Sequence, residues 1–229
     1  MQFLKDIFYV FFPNYCLGCD ITLQTHESYM CTHCRHDLAL TYFTNEANNH
    51  LERSFLGRVK IIEATALFYF EKQHKAQELI HLLKYENQQQ IGVFLGDWMG
   101  NEIKNSERFQ HIDCIVPVPL HPKKMRHRGF NQLDKFGKRM SHHLEIPYIT
   151  QVLIKTTRSN SQTNKGRFAR VKNTQEIFTT QQKHLIKNKH VLLIDDVITT
   201  GATIEACYDA LIQIEGVSIS IATMTCSKF

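Results

Sequence analysis

Apolar residues fall first into a short stripe, then give way to a polar stretch, and then settle into alternating helical and strand-like segments. Phe3, Leu4, Ile7, Phe8, Phe11 and Phe12 recur at helical spacing, so residues 1–12 read as an amphipathic helix closed by Pro13. Lys5 and Asp6 interrupt that run, which is too short and too charged to span a bilayer, and no small-residue cleavage site follows it. Packing on the protein's own body is the simpler reading of the stripe; contact with a membrane surface or a partner is the alternative. The stretch TNEANNHLERSFLGR within residues 40–60 is polar and weakly periodic, which places a boundary between a small module, 1–50, and a main domain, 51–229.

Beyond that boundary, IIEATALFYF reads as a strand pair or hairpin arm. HKAQELIHLLKYE holds Ala76, Leu79, Ile80 and Leu83 in helical register, and IGVFLGDWMGNEI reads as a helix in spite of its three glycines. DCIVPVPL then predicts a buried strand, NQLDKFGKRMSHHL a helix, QVLIKT a strand, HVLLIDDV a strand, ATIEACYDALIQI a helix and VSISIATM a last strand. Strands separated by helices predict an α/β fold, a parallel sheet with helices on both faces. Ligands of such sheets bind at the carboxyl ends of the strands.

Composition sharpens this picture in two respects. A chain of 229 residues, 43% hydrophobic, has room for one substantial core and a small appendage. Its net charge of +5 is compatible with an anionic partner and far from a polybasic tail. The seven cysteines are an odd number, and four stand in two close pairs, which fits metal binding in a reduced, cytoplasmic setting better than a secreted disulfide framework.

Those pairs are Cys16 with Cys19 and Cys31 with Cys34. Each CxxC suits a short knuckle whose thiolates aim at one ion, and two knuckles complete the tetrahedral four-sulfur site of a structural zinc. Gly18 eases the first turn, and in so small a segment the metal would supply most of the folding energy. His26, His33 and His36 are near enough in sequence to replace a thiolate, and a redox dithiol is a further alternative.

The most informative stretch is VLLIDDVITTGAT, residues 191–203. A branched apolar strand ends in Asp195 and Asp196, and a small, hydroxylated turn then leads into a helix. Such a turn offers converging backbone N–H groups and the positive end of a helix dipole to a phosphate monoester. Gly201 permits close approach, and Thr199, Thr200 and Thr203 can add hydroxyl donors beside Ala202. The two carboxylates are placed to accept hydrogen bonds from the vicinal hydroxyls of a ribose. The plain alternative, a turn-forming acid pair followed by capping threonines, accounts for each piece but not for their order.

That fingerprint resembles the type I phosphoribosyltransferase superfamily, although Ala202 stands where many members have a second glycine. With IVPVPLHPKKMRHRGFNQ at 115–132, LKYEN at 83–87 and the spaced Gln162, Arg170, Asn173 and Phe178, the chain resembles the ComF/GntX family, which also carries an N-terminal four-cysteine module. The resemblance covers most of residues 75–229 and implies binding of phosphoribosyl diphosphate (PRPP) with magnesium.

It also implies roles for two basic segments. Lys123, Lys124, Arg126 and Arg128 read as a loop whose ammonium and guanidinium groups suit a diphosphate, the plain alternative being a solvated surface. Residues 155–173 correspond to a mobile region that closes over the site; its Lys155 and Arg158 could reach the diphosphate, and Gln162 could orient substrate, unless the segment is merely a basic linker. The implied reaction displaces pyrophosphate at the anomeric carbon, but no segment identifies a nitrogen acceptor. Two readings therefore stand side by side: a competence protein that binds PRPP and assists uptake of single-stranded DNA with the competence machinery, and an active magnesium-dependent phosphoribosyltransferase.

Overall fold

The computed structural model describes residues 13–71, 75–157 and 176–228. The predicted helix at 1–12, and Arg158, Gln162, Arg170 and Asn173, lie outside the described residues. In chain order the elements are α1 (Thr32–His36), α2 (His50–Ser54), β1 (Ala64–Tyr69), α3 (Lys75–Tyr85), α4 (Gln89–Lys104), β2 (Cys114–Pro117), α5 (Pro122–Arg128), α6 (Leu133–Leu144), β3 (Leu153–Thr157), β4 (Glu176–Thr180), β5 (His190–Ile198), α7 (Ala202–Leu211) and β6 (Ser218–Cys226).

The main sheet is parallel throughout, in the order β1-β6-β5-β2. Its two central strands pair from His190 with Ser218 to Ile198 with Cys226. Both are buried along almost their whole length, as expected of parallel strands covered on either face. The α/β class predicted from the alternation is the one observed.

Three local expectations are corrected. Residues 61–70 hold one strand, Ala64–Tyr69, paired parallel to β6, rather than a strand pair or a hairpin arm. QVLIKT does not join the parallel array: as β3 it pairs antiparallel with β4, from Leu153 with Thr180 to Thr157 with Glu176, in a separate two-stranded sheet. The basic stretch after β2 is not a loop but helix α5, started by Pro122 in its first turn and by the His121 ring, which accepts the Lys123 N–H at 3.1 Å. It ends at Gly129, where φ is +77°.

The glycines of α4 that weaken its helix propensity serve its packing. Gly92, Gly96 and Gly100 lie four residues apart against α6, and a Cβ built on Gly96 would stand 2.6 Å from the Phe136 carbonyl oxygen. Such a stripe lets the two helix backbones approach closely.

The polar stretch before β1 is stitched to the main domain. Arg108 donates from Nη1 to the Phe43 carbonyl at 2.9 Å, and its Nη2 pairs with both Glu52 and Glu63. Asn49 donates to the Ala64 carbonyl at 2.8 Å and caps α2 by accepting the Glu52 N–H at 3.0 Å. Residues 39–41 run beside β1, with Thr41 N–H bonded to Leu67 O and Tyr69 N–H to Ala39 O. On the opposite flank, Ile115 of β2 exchanges hydrogen bonds with Pro147 and Ile149.

Candidate functional site

The β5–α7 junction lies at the carboxyl end of a central strand, where the sheet's topology places ligands. Gly201 is the residue before α7 and has φ of +81°, a left-handed conformation that L side chains resist. It provides no side-chain cap, and the Ala202 N–H makes only a long 3.4 Å contact with Thr200 Oγ1. The first amides of a ten-residue helix thus open toward the exposed Thr199 and Thr200. That arrangement suits an anion.

Asp195 and Asp196 are both buried but differ in their partners. Asp195 Oδ1 accepts the Asp196 N–H at 2.8 Å. Burial, and then the charge of Asp196, push the Asp195 carboxyl well above the usual carboxylate range. Asp196 accepts Lys84 Nζ at 2.8 Å on one oxygen and Gln132 Nε2 at 2.5 Å on the other. Gln132 in turn accepts Arg128 Nη1 at 3.0 Å, and the Arg128 guanidinium lies 4.9 Å from the centre of the Tyr85 ring. The end of α3, the end of α5 and the start of α6 therefore converge on one acid of β5.

Among the residues singled out from sequence, Arg128 is brought to Asp196 through Gln132. Lys123, Lys124 and Arg126 are exposed along α5. Lys155 lies 5.2 Å from the centre of the Phe178 ring, on the β3–β4 pair, and its charge works against the upward shift at Asp195. Thr203 is half-buried in the first turn of α7.

In the N-terminal segment, the Sγ atoms of Cys16, Cys19, Cys31 and Cys34 all lie within 4.8 Å of one another. Cys19 and Cys31 sulfurs are 3.7 Å apart, beside the roughly 3.8 Å edge of a tetrahedron with metal–sulfur bonds near 2.3 Å. Amide hydrogens point at the sulfurs: Gly18 and Cys31 donate to Cys16 at 3.4 and 3.3 Å, and Cys34 donates to Cys31 at 3.4 Å. Burial raises the Cys16 thiol, but the Cys31 and Gly18 amides outweigh it and bring the pKa down to about 7. Burial pushes Cys34 up. Four soft donors at this spacing form a cluster that could hold zinc.

A family model described as a phosphoribosyl transferase domain matches residues 135–226, from within α6 to the end of β6. Competence protein F of Haemophilus influenzae is 26% identical over 193 residues, covering 82% of this chain and 80% of that protein. Competence protein ComFC of Streptococcus pneumoniae is 22% identical over 194 residues, covering 82% and 77%. The chain is similar to these competence proteins and carries a segment that matches the phosphoribosyl transferase domain. DNA utilization protein YhgH of Escherichia coli is 28% identical over 138 residues, a match that spans 59% of this chain and 60% of that protein.

Sequence reading missed Lys84, Gln132 and Tyr85 as members of the site. The first and last sit in LKYEN and the second closes RGFNQ, so the motifs were visible, but their distance from the acid pair in sequence hid the contact. Phe55 and Arg58, which pack against the turn from the segment before β1, carried no motif at all.

Proposed function

We propose that this chain binds PRPP at the β5–α7 junction and serves natural competence, assisting the uptake of single-stranded DNA. The observation that carries the reading is the junction itself. An uncapped helix N-terminus at Gly201 follows a buried acid pair, and Lys84 directly and Arg128 through Gln132 converge on Asp196 of that pair. The 5′-phosphate would take the amides of 200–203 and the Thr199, Thr200 and Thr203 hydroxyls, and Asp195 and Asp196 would accept the ribose hydroxyls. Arg128, Lys123, Arg126 and Lys155 would face the diphosphate, with Arg158 and Gln162 added by the closing segment.

Magnesium fits this chemistry because carboxylate and diphosphate oxygens are hard donors, and when bound it supplies charge neutralisation to the diphosphate. Zinc fits the four cysteines and would hold the N-terminal module together. The printed names of the relatives, competence protein and DNA utilization protein, support a role in DNA handling with competence-machinery partners. The exposed cations of α5 supply a surface for a phosphodiester backbone. Among the described residues no helix is long and apolar enough to cross a membrane; a cytoplasmic location is part of this proposal, and contact of residues 1–12 with a membrane surface is compatible with it.

Calorimetry with magnesium and PRPP tests the core of the reading: the wild-type chain should bind, and the double change Asp195→Asn, Asp196→Asn should weaken binding at least tenfold. Absence of heat with the wild type refutes it. Pyrophosphate release across a panel of nucleobases separates turnover from binding alone, and turnover would favour the phosphoribosyltransferase reading.

A further inference from the structure

The segment leading into β1 reaches the same turn from beneath. Phe55 is buried under Gly201, so closely that a Cβ built on the glycine would stand 2.8 Å from the Phe55 ring. Arg58 spends its guanidinium on three elements at once. Nη2 donates to the Thr200 carbonyl at 2.7 Å, Nη1 donates to the Ser54 carbonyl at 3.1 Å, and Nε pairs with Glu205 in the first turn of α7. The guanidinium also lies 5.7 Å from the centre of the Phe55 ring.

We infer that Arg58 is a positioning residue for the phosphate turn, setting which backbone group that turn presents to an anion. This rests on the proposal that the turn receives a 5′-phosphate. In a trans peptide the carbonyl and the following N–H point in opposite directions. Glycine tolerates either sign of φ, so the Thr200–Gly201 peptide has two accessible orientations. One offers the Gly201 N–H to a bound anion; the other offers the Thr200 oxygen, which repels it. Holding that oxygen on Arg58 selects the first.

The ion pair has a second effect. Glu205 sits in the first turn of the helix whose N-terminus would face a dianion, and its carboxylate opposes that ligand unless neutralised. Arg58 neutralises it without occupying the mouth of the turn. Removing Arg58 both frees the peptide to flip and uncovers a negative charge.

The test is calorimetry on the full chain with ribose 5-phosphate and, separately, with magnesium pyrophosphate. Arg58→Ala should weaken ribose 5-phosphate binding about tenfold while leaving pyrophosphate within about twofold, because the two ligands are held by different groups. Adding Glu205→Gln to Arg58→Ala should recover part of the loss. Arg58→Lys, which keeps the charge but not the three-way fork, should bind ribose 5-phosphate with intermediate affinity and serves where the alanine variant folds poorly. If the wild type binds ribose 5-phosphate and Arg58→Ala binds it equally well, or loses both ligands equally, the positioning role is wrong. If the wild type itself binds no ribose 5-phosphate, the phosphate assignment of the turn fails first and this inference falls with it.

Discussion

Lys84 and Gln132 between them occupy both oxygens of the buried Asp196, and a lysine is immobilised there. Lys84→Met should lower stability by about 3 kcal/mol in urea unfolding, since the acid is left in a poorly solvated place without its cation. Asp195 instead accepts the amide of its neighbour. Its pKa is raised by burial and by Asp196, from the ordinary 3.8 to about 8, so the folded chain holds a proton there that the unfolded chain has lost. Stability therefore falls as pH rises through that window, and the penalty is fully present above it. Asp195→Asn should flatten the dependence of melting temperature on pH between 4 and 8 and raise it at neutral pH, while PRPP binding weakens. At this scale the acid pair and the Thr-Thr-Gly turn were legible in the sequence because they are contiguous. Lys84 lies 112 residues from its acid, and no local pattern records such a contact.

Helix α4 shows how an element can be read correctly for the wrong reason. Its apolar periodicity marked a helix, and its glycines looked like a weakness, yet they are where α6 comes closest. Gly96→Ala should cost about 2 kcal/mol, read as a lower melting temperature, because the new methyl meets the Phe136 carbonyl at 2.6 Å and Arg139 Cβ at 2.8 Å. Elsewhere the alternation of apolar and polar residues announced strands without naming their partners. QVLIKT has the composition of a sheet strand, and only the placement of β4 beside it takes it out of the parallel array. EIFTT was not recognised as a strand because five residues carry little periodicity. The basic PKKMRHR stretch passed for a loop, its charges and prolines outweighing a Pro start and a Gly stop that spell a short helix.

The whole molecule is held together by ties between its N-terminal part and its sheet. Arg108 is the knot: Glu52 and Glu63 share its guanidinium, and three carbonyls between residues 43 and 46 accept from it. Arg108→Met should leave two half-buried carboxylates facing each other and cost about 3 kcal/mol, measurable by chemical unfolding. Zinc should act more locally. A chelator is expected to raise hydrogen exchange across residues 14–36 while β5 and β6 stay protected, and metal analysis should return about one zinc per chain. Sequence reading placed a boundary within residues 40–60; it did not foresee how closely that stretch is sewn to β1.

The two flanks of the parallel sheet are already occupied, by residues 39–41 beside β1 and by residues 147–149 beside β2. Along those stretches backbone amides and carbonyls that could template a foreign strand are spent within the chain. A protein that added a strand along either of those stretches would first have to peel away a piece of this one.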